Sequence, residues 1–250
     1  MRRTLLIAGK GGVGKTTIAV NLALGWALEG WRVGILDANI HSPSVPSLLG
    51  ISAQGVKGME GIEPVTVKGL KVISVGLFLH RPHTPVSWRG PIKHGVLKQF
   101  LYETNWGELD YLVIDLPAGV GDEVMSLTQL LKGSATALIV TTPTSLSLTE
   151  TKRLKAFFHH GHAKTIGVVL NMARGERNVS LPFEPLGVIP FDPLFMECEE
   201  KGTPLISSFP QVEAAHCLRT LAQRCQDALK ELRGPQFTIT ATLFYKRRKS

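Results

Sequence analysis

The chain has 250 residues, 44% hydrophobic and 19% charged, with 25 glycines and 15 prolines. That composition supports one large buried core and excludes wholesale disorder or a collagen-like repeat, and no apolar run reaches the ~18 residues of a membrane span. The formal net charge of +8 is uneven. From Arg219 onward, Arg224, Lys230, Arg233, Lys246, Arg247, Arg248 and Lys249 add to it, with only Asp227 and Glu231 opposing, so the preceding body is nearly neutral. A basic end of this kind suits an acidic partner or surface, and equally a solvated, frayed terminus.

Taken in chain order, Met1-Arg2-Arg3-Thr4 enters a short apolar run that ends in a glycine loop rather than a cleavage site. The expectation is therefore a cytoplasmic protein. Cys198, Cys217 and Cys225 contain no CxxC pair and read as reduced thiols. Apolar runs at 4–8, 32–36, 71–75, 111–114, 136–141, 165–170 and 186–189 lack polar alternation, as strands of a parallel sheet covered on both faces do. Stretches able to be helical lie between them, at 16–29, 92–103, 123–131 and 148–160, and again after Asp192. The repetition predicts a doubly wound, mainly parallel α/β sheet flanked by helices. Residues 50–69, with five glycines, read as a surface excursion. Ala215, Leu218, Ala222, Cys225, Leu229 and Leu232 form one apolar helical stripe, and Gly234-Pro235 ends it. The domain assignment is a single unit over 1–234 and a basic tail over 235–250. The segment 237–245 reads as an added strand or a flexible arm.

The first strand runs into Gly9-Lys10-Gly11-Gly12-Val13-Gly14-Lys15-Thr16-Thr17, which fits the phosphate-loop pattern in its strand–loop–helix setting. Glycines let backbone N–H groups curl around phosphate oxygens, and the helix start adds a positive dipole end. Lys15 is placed against the β- and γ-phosphates, Thr16 on Mg²⁺ and Thr17 at the α-phosphate. Asp115 ends an apolar strand, as a magnesium-holding carboxylate does, and Asp37 ends another. Gly119, in the glycine-rich loop after Asp115, is the expected γ-phosphate switch. The guanine-reading Asn-Lys-x-Asp pattern is absent, and Asn171 at a strand end offers an amide suited to an adenine edge. Two weaker features complete the reading. His159-His160-Gly161-His162 sits at a helix end, where a C-terminal cap or a metal cluster is the choice. Trp88 and Arg89 suit a dimer interface or simple packing.

The early second lysine, Lys10, makes Lys10-Gly11-Gly12-Val13-Gly14-Lys15-Thr16 resemble the deviant phosphate loop of the MinD/ParA class. Within that class the chain resembles the Mrp-type (ApbC-like) ATPases. The resemblance rests on Gly34-Ile35-Leu36-Asp37-Ala38, Ser42-Pro43-Ser44, Trp88-Arg89-Gly90-Pro91, Trp106-Gly107-Glu108-Leu109-Asp110-Tyr111, Gly121-Asp122, Thr141-Thr142-Pro143 and Gly187-Val188-Ile189-Pro190. It implies an ATP-binding homodimer that hydrolyses MgATP as a switch or carrier for a client protein in iron–sulfur or other metallocofactor maturation. Catalytic roles fall to Lys10, Lys15 and Asp37, with Lys10 reaching the partner's phosphates. Gly11, Gly12, Val13, Gly14, Lys15, Thr16, Thr17 and Gly119 would hold the phosphates. Asn171, Pro190, Phe191 and Asp192 would frame adenine, and Thr16, Asp37 and Asp115 would hold the metal.

Two departures from that pattern carry consequences. Between Asn171-Met172 and Ile189-Pro190, where Mrp-type proteins often carry a CxxC, this chain has no cysteine, so an iron–sulfur cluster held in the usual way is not expected. The second strand ends Asp37-Ala38-Asn39 instead of Asp-x-Asp, and a neutral amide orients water without taking its proton, so hydrolysis is expected to be slow. Two other readings follow. One is a MinD/ParA-like positioning ATPase recruited to anionic lipid or nucleic acid through its basic tail. The other is a nucleotide-binding adaptor with little hydrolysis.

Overall fold

The first apolar run forms the strand on which the fold is centred. The protein is seen here as a computed structural model that describes residues 3–52, 57–58, 61–79, 88–175 and 181–232. The sequence alternates β1 (Arg3–Gly9), α1 (Lys15–Leu28), β2 (Val33–Asp37) and a short α2 (Val45–Leu48). The strands β3 (Lys57–Gly58), β4 (Gly61–Ile62), β5 (Val65–Val67) and β6 (Leu70–Ser74) follow. Next come α3 (Gly90–Tyr102), β7 (Tyr111–Asp115), α4 (Asp122–Leu131), β8 (Ala135–Thr141) and α5 (Ser145–Phe157). The chain continues through β9 (Lys164–Ala173), β10 (Gly187–Pro190), α6 (Leu194–Lys201), α7 (Leu205–Ser208) and α8 (Glu213–Glu231).

The main sheet has the order β10-β9-β8-β1-β7-β2-β6-β5, parallel throughout except for β5, while β3 and β4 pair separately. Successive β1 side chains go to opposite faces. Leu5 and Ile7 pack with α1 and α8, and Leu6 and Ala8 with the layer of α3, α4 and α5. Burying each leucine or isoleucine contributes about 1.5–3 kcal/mol, and covering both faces explains why the strands read as continuous apolar runs. The stripe on α8 docks as its spacing predicts, with Ala215, Leu218, Ala222, Cys225 and Leu229 all buried.

The run Trp106-Gly107-Glu108-Leu109-Asp110-Tyr111 acts as a seat for β2. The Arg32 guanidinium bonds both Asp110 oxygens, at 2.8 and 3.1 Å, and also meets Glu108. Those bonds hold the Asp110 carboxyl below the usual carboxylate range. Lys71 Nζ donates to the Trp106 carbonyl at 2.7 Å, and the Trp106 indole donates to the Phe100 carbonyl at 3.0 Å. Trp106 then lies so close to β2 that a Cβ on Gly34 would stand 2.7 Å from its ring and 2.9 Å from Leu109.

The structure departs from the sequence reading at two places. Within 50–69 lies a true edge strand, β5, which turns antiparallel onto β6 through Lys68 and Gly69, at φ 49° and 83°. A two-residue turn with both residues left-handed is the hairpin geometry, but lysine in the first position gives no sequence signal for it. The helix expected over 148–160 starts at Ser145 and gives way at Phe158–His162 to a π turn. No group of three or more His, Cys, Asp or Glu residues that could hold a metal converges among the described residues. Trp88 packs, half-buried, against the core beneath α3, and Arg89 is the exposed residue that precedes this helix. The Gly234-Pro235 stop, the 234/235 boundary and the 237–245 segment lie outside the described residues.

Gly34→Ala overfills the seat. The expected cost is about 1–3 kcal/mol, or roughly 2–4 °C of Tm per kcal/mol for a domain of this size. Thermal unfolding of the variant beside the wild type checks it.

Candidate functional site

At the C-terminal end of β1 the chain enters a glycine-rich loop that caps α1. Gly12 and Gly14 stand at φ 79° and 86°, where side chains are strained, and Gly14 is the N-cap of the helix. A Cβ at Gly14 would lie 2.4 Å from the Asn171 amide nitrogen. That amide, delivered by β9, donates to the Val13 carbonyl at 2.9 Å and locks the loop. Lys15 Nζ donates to the Lys10 carbonyl at 2.9 Å, folding back over the loop mouth. Burial lowers the Lys15 pKa, and the nearby Asp115 charge opposes that. Behind the helix start, Asn21 ties Thr17 to the rest of the fold, because its amide donates to the Thr17 carbonyl at 2.8 Å and its oxygen accepts from Ile206 N–H at 2.9 Å.

The parallel register sets Asp37 and Asp115 side by side at the ends of β2 and β7. The two carboxylates are treated very differently. Asp37 accepts from the N–H groups of Asn39, Ser44 and Val45 and from the Ser74 hydroxyl, at 3.0 to 3.2 Å. It thereby pins the loop after β2 to the start of α2. Asp115 Oδ2 accepts from the Thr16 hydroxyl at 2.6 Å, while its buried Oδ1 has no hydrogen-bond partner. Burial, and then the Asp37 charge, push the Asp115 carboxyl well above the usual carboxylate range. Burial also raises Asp37, against its four hydrogen bonds. The Ser44 hydroxyl donates to Thr16 Oγ1 at 3.3 Å, so a third oxygen joins the group. A hard divalent cation takes oxygen donors, and an orphaned carboxylate oxygen beside two hydroxyls fits one. The residues that would hold Mg²⁺ are Thr16 and Asp115, with Asp37 fixing the adjoining loop.

The remaining expected residues surround this centre unevenly. Gly119, at φ 70°, donates its N–H to the Gly9 carbonyl at 3.3 Å, which brings the loop after β7 onto the phosphate loop. Lys10, Gly11, Gly12 and Val13 line a cavity of about 420 Å³, with Phe191 on its wall. Pro190 ends β10, and Asp192 is turned to α6, where its oxygen accepts from Leu194 N–H at 2.9 Å. The same cavity is lined by Thr142, Thr144, Ser147, Met172 and Arg174, to which the sequence reading gave no site role. The Arg174 guanidinium lies 4.1 Å from the Phe191 ring centroid, a stacked cation–π contact. Thr141-Thr142-Pro143 was a usable signal, since it shares a run with the resemblance. Met172, at φ 58°, turns the end of β9 without any.

Comparison with known proteins fits this geometry. Residues 1–180 match the family model described as ParA: NUBPL iron-transfer P-loop NTPase. The chain belongs to this family. It is 40% identical to the iron-sulfur cluster carrier protein of Saccharolobus solfataricus over 225 residues, 82% of this chain and 76% of that one. It is 37% identical to the human cytosolic Fe-S cluster assembly factor NUBP2 over 248 residues, 90% and 92% of the two chains. Among solved structures it resembles an ADP-bound nucleotide-binding protein of Archaeoglobus fulgidus, 31% identical with a TM-score of 0.64, covering 85% and 93%. It also shares its fold with the cell division ATPase MinD of Pyrococcus furiosus, 24% identical with a TM-score of 0.71, covering 91% and 99%. Membership of a P-loop NTPase family implies use of a nucleotide and Mg²⁺.

Two outcomes follow. Gly14→Ala drives a methyl into Asn171 and is expected to abolish nucleotide binding, read by calorimetry, while the rest of the sheet keeps its circular dichroism. Asp115 binds a proton more tightly folded than unfolded, so the metal-free protein loses stability as pH rises from about 4 through the raised pKa. Asp115→Asn removes the upper part of this slope and leaves the part that Asp37, raised to about 6, contributes. Its metal-free Tm at pH 8 is expected to rise by roughly 2–4 °C, about 1 kcal/mol, and to lose the increment that MgATP gives the wild type.

Proposed function

We propose that the protein is a nucleotide-driven carrier or switch in iron–sulfur protein maturation, working as a homodimer that binds and slowly hydrolyses MgATP in the cytosol. The observation that carries this reading is the phosphate loop poised over an unpartnered, buried Asp115 oxygen in a chain of the iron-transfer family. The names of its relatives, an iron-sulfur cluster carrier and a cytosolic assembly factor, supply the direction. Among the described residues no helix is long and apolar enough to cross a membrane.

The residues divide the work. Main-chain amides from Gly11 to Thr16 grip phosphate oxygens, and Lys15 swings from the Lys10 carbonyl to the β- and γ-phosphates. Thr16 and Asp115 would hold Mg²⁺, which would supply neutralisation of the developing phosphate charge. Lys10, on the cavity wall, supplies charge to the partner's nucleotide when two copies close, so transition-state stabilisation depends on dimerisation. Gly119, bonded to Gly9, transmits loss of the γ-phosphate to the loop before α4. Asn39 takes the place of a second carboxylate; its side-chain oxygen accepts from Ser42 N–H at 3.3 Å and orients water without accepting a proton.

Among the described residues no three His, Cys, Asp or Glu side chains gather where they could hold a metal. Cys198 and Cys225 are core residues on α6 and α8, Cys217 is half-buried, and burial raises all three above the ordinary thiol range. A cluster needs converging thiolates, so as cargo it would be ligated by a client or partner chain, with this chain supplying the nucleotide-dependent step.

Lys15→Ala is expected to lose MgATP binding, and Lys10→Ala to keep binding while losing turnover by about 100-fold or more. Asn39→Asp, which retains the acceptor for Ser42, is expected to raise turnover at least about tenfold. Steady-state phosphate release with calorimetric affinities checks all three. Wild-type behaviour of Lys15→Ala would overturn the proposal.

A further inference from the structure

A second cleft, of about 830 Å³, opens at the N-terminal ends of β8 and β9, away from the phosphate loop at the strands' C-terminal ends. Its floor is apolar, made by Phe158, Ala163 and Leu232. Its rim carries Lys155, His159 and Lys164, and no aspartate or glutamate is among the lining residues. No carboxylate pairs with either lysine among the described residues. The Lys155 ammonium lies 5.5 Å from the Phe183 ring centroid, a cation–π contact at the rim that leaves its charge without a carboxylate partner. The volume falls in the range of ligand-binding clefts. Phe158 and His159 enter the cleft from the π turn Phe158–His162, a kind of turn frequent at functional sites.

From this geometry we infer that the cleft binds an acidic peptide segment of a partner protein, with an apolar side chain seated against Phe158 and Ala163 and flanking carboxylates on Lys155 and Lys164. The charge favours an acidic occupant over a basic one. The apolar floor favours a peptide over a nucleic acid, whose phosphates need a continuous row of cations and gain nothing from Ala163. The position gives the site a connection to the rest of the molecule. Helix α5 runs from Ser147, on the wall of the nucleotide-side cavity, to Lys155 at this cleft. It is one rigid rod about 20 Å long.

The test is selection of peptides from a random display library on the immobilised full chain. Parallel selections use the Lys155→Glu/Lys164→Glu variant and the charge-keeping Lys155→Arg/Lys164→Arg variant. Both lysines are surface groups outside the nucleotide site, so unchanged Tm and MgATP affinity verify that each variant is folded. Peptides in which Asp or Glu flank a large apolar residue are expected on the wild type. They are expected to bind the arginine variant within threefold and the glutamate variant at least tenfold more weakly, with hydrogen exchange slowed over 155–165. Recovery of no peptide, peptides without acidic residues, or equal affinity for the glutamate variant would overturn the inference. Tight binding of duplex DNA to the cleft in place of peptide would do the same. None of these outcomes touches the nucleotide reading, which the Lys15 variant tests separately.

Discussion

The site is organised around an unresolved charge: Asp115, buried beside Asp37, with one oxygen bonded to Thr16 and the other left without a donor. Two neighbouring carboxylates in a desolvated layer repel each other and resist ionisation. A divalent cation would remove both penalties at once. The juxtaposition is created by the sheet. The parallel register of β2 and β7 aligns the two residues, and the burial of both strands keeps water from screening them.

The two carboxylates illustrate how identical side chains at equivalent strand ends take different parts. Asp37 is saturated by four donors, three of them backbone N–H groups at the turn into α2. Its work in the absence of ligand is to set the path of the loop that carries Asn39 and Ser44. Asp115 has no such commitment. Movement of the loop after β2 would therefore pass through Asp37, and cation occupancy would pass through Asp115. Gly119 and Asn171 act in the same economical way. Each spends one hydrogen bond on the phosphate loop, so that elements from three strands fix its shape.

What the sequence made legible follows from the physics that produces pattern. Strands buried on both faces must be continuously apolar, so β1, β2, β6, β7 and β8 announce themselves, while β9 and β10 show as apolar runs although parts of them are exposed. The phosphate loop is legible because its glycines and Lys15 are each demanded by a local steric or charge requirement. The edge strand β5 was hidden because three half-exposed residues need no continuous apolar run. The cavity residues Thr144, Met172 and Arg174 were hidden for another reason. Their roles arise from where β8 and β9 end relative to the loop, a distance in space that no spacing in the chain encodes. The specificity of the Trp106–Tyr111 run was legible as resemblance, and its cause emerges only with Arg32, Gly34 and Lys71 in view.

The placement of the thiols bears on what carriage would mean for this chain. Cys225 faces the core because it occupies the apolar stripe of α8, between Ala222 and Leu229, and Cys198 packs into the same core from α6. Ionising either would place a thiolate in apolar surroundings, and exposing either would open the helix layer that covers α1. Cluster ligation by these residues would therefore compete directly with the packing that positions the phosphate loop. Under the proposed function, a chain of this kind would keep nucleotide chemistry at one end of the sheet and leave cluster ligation to thiols supplied by another protein. Such a division requires a means of recognising that protein, which the phosphate loop does not provide.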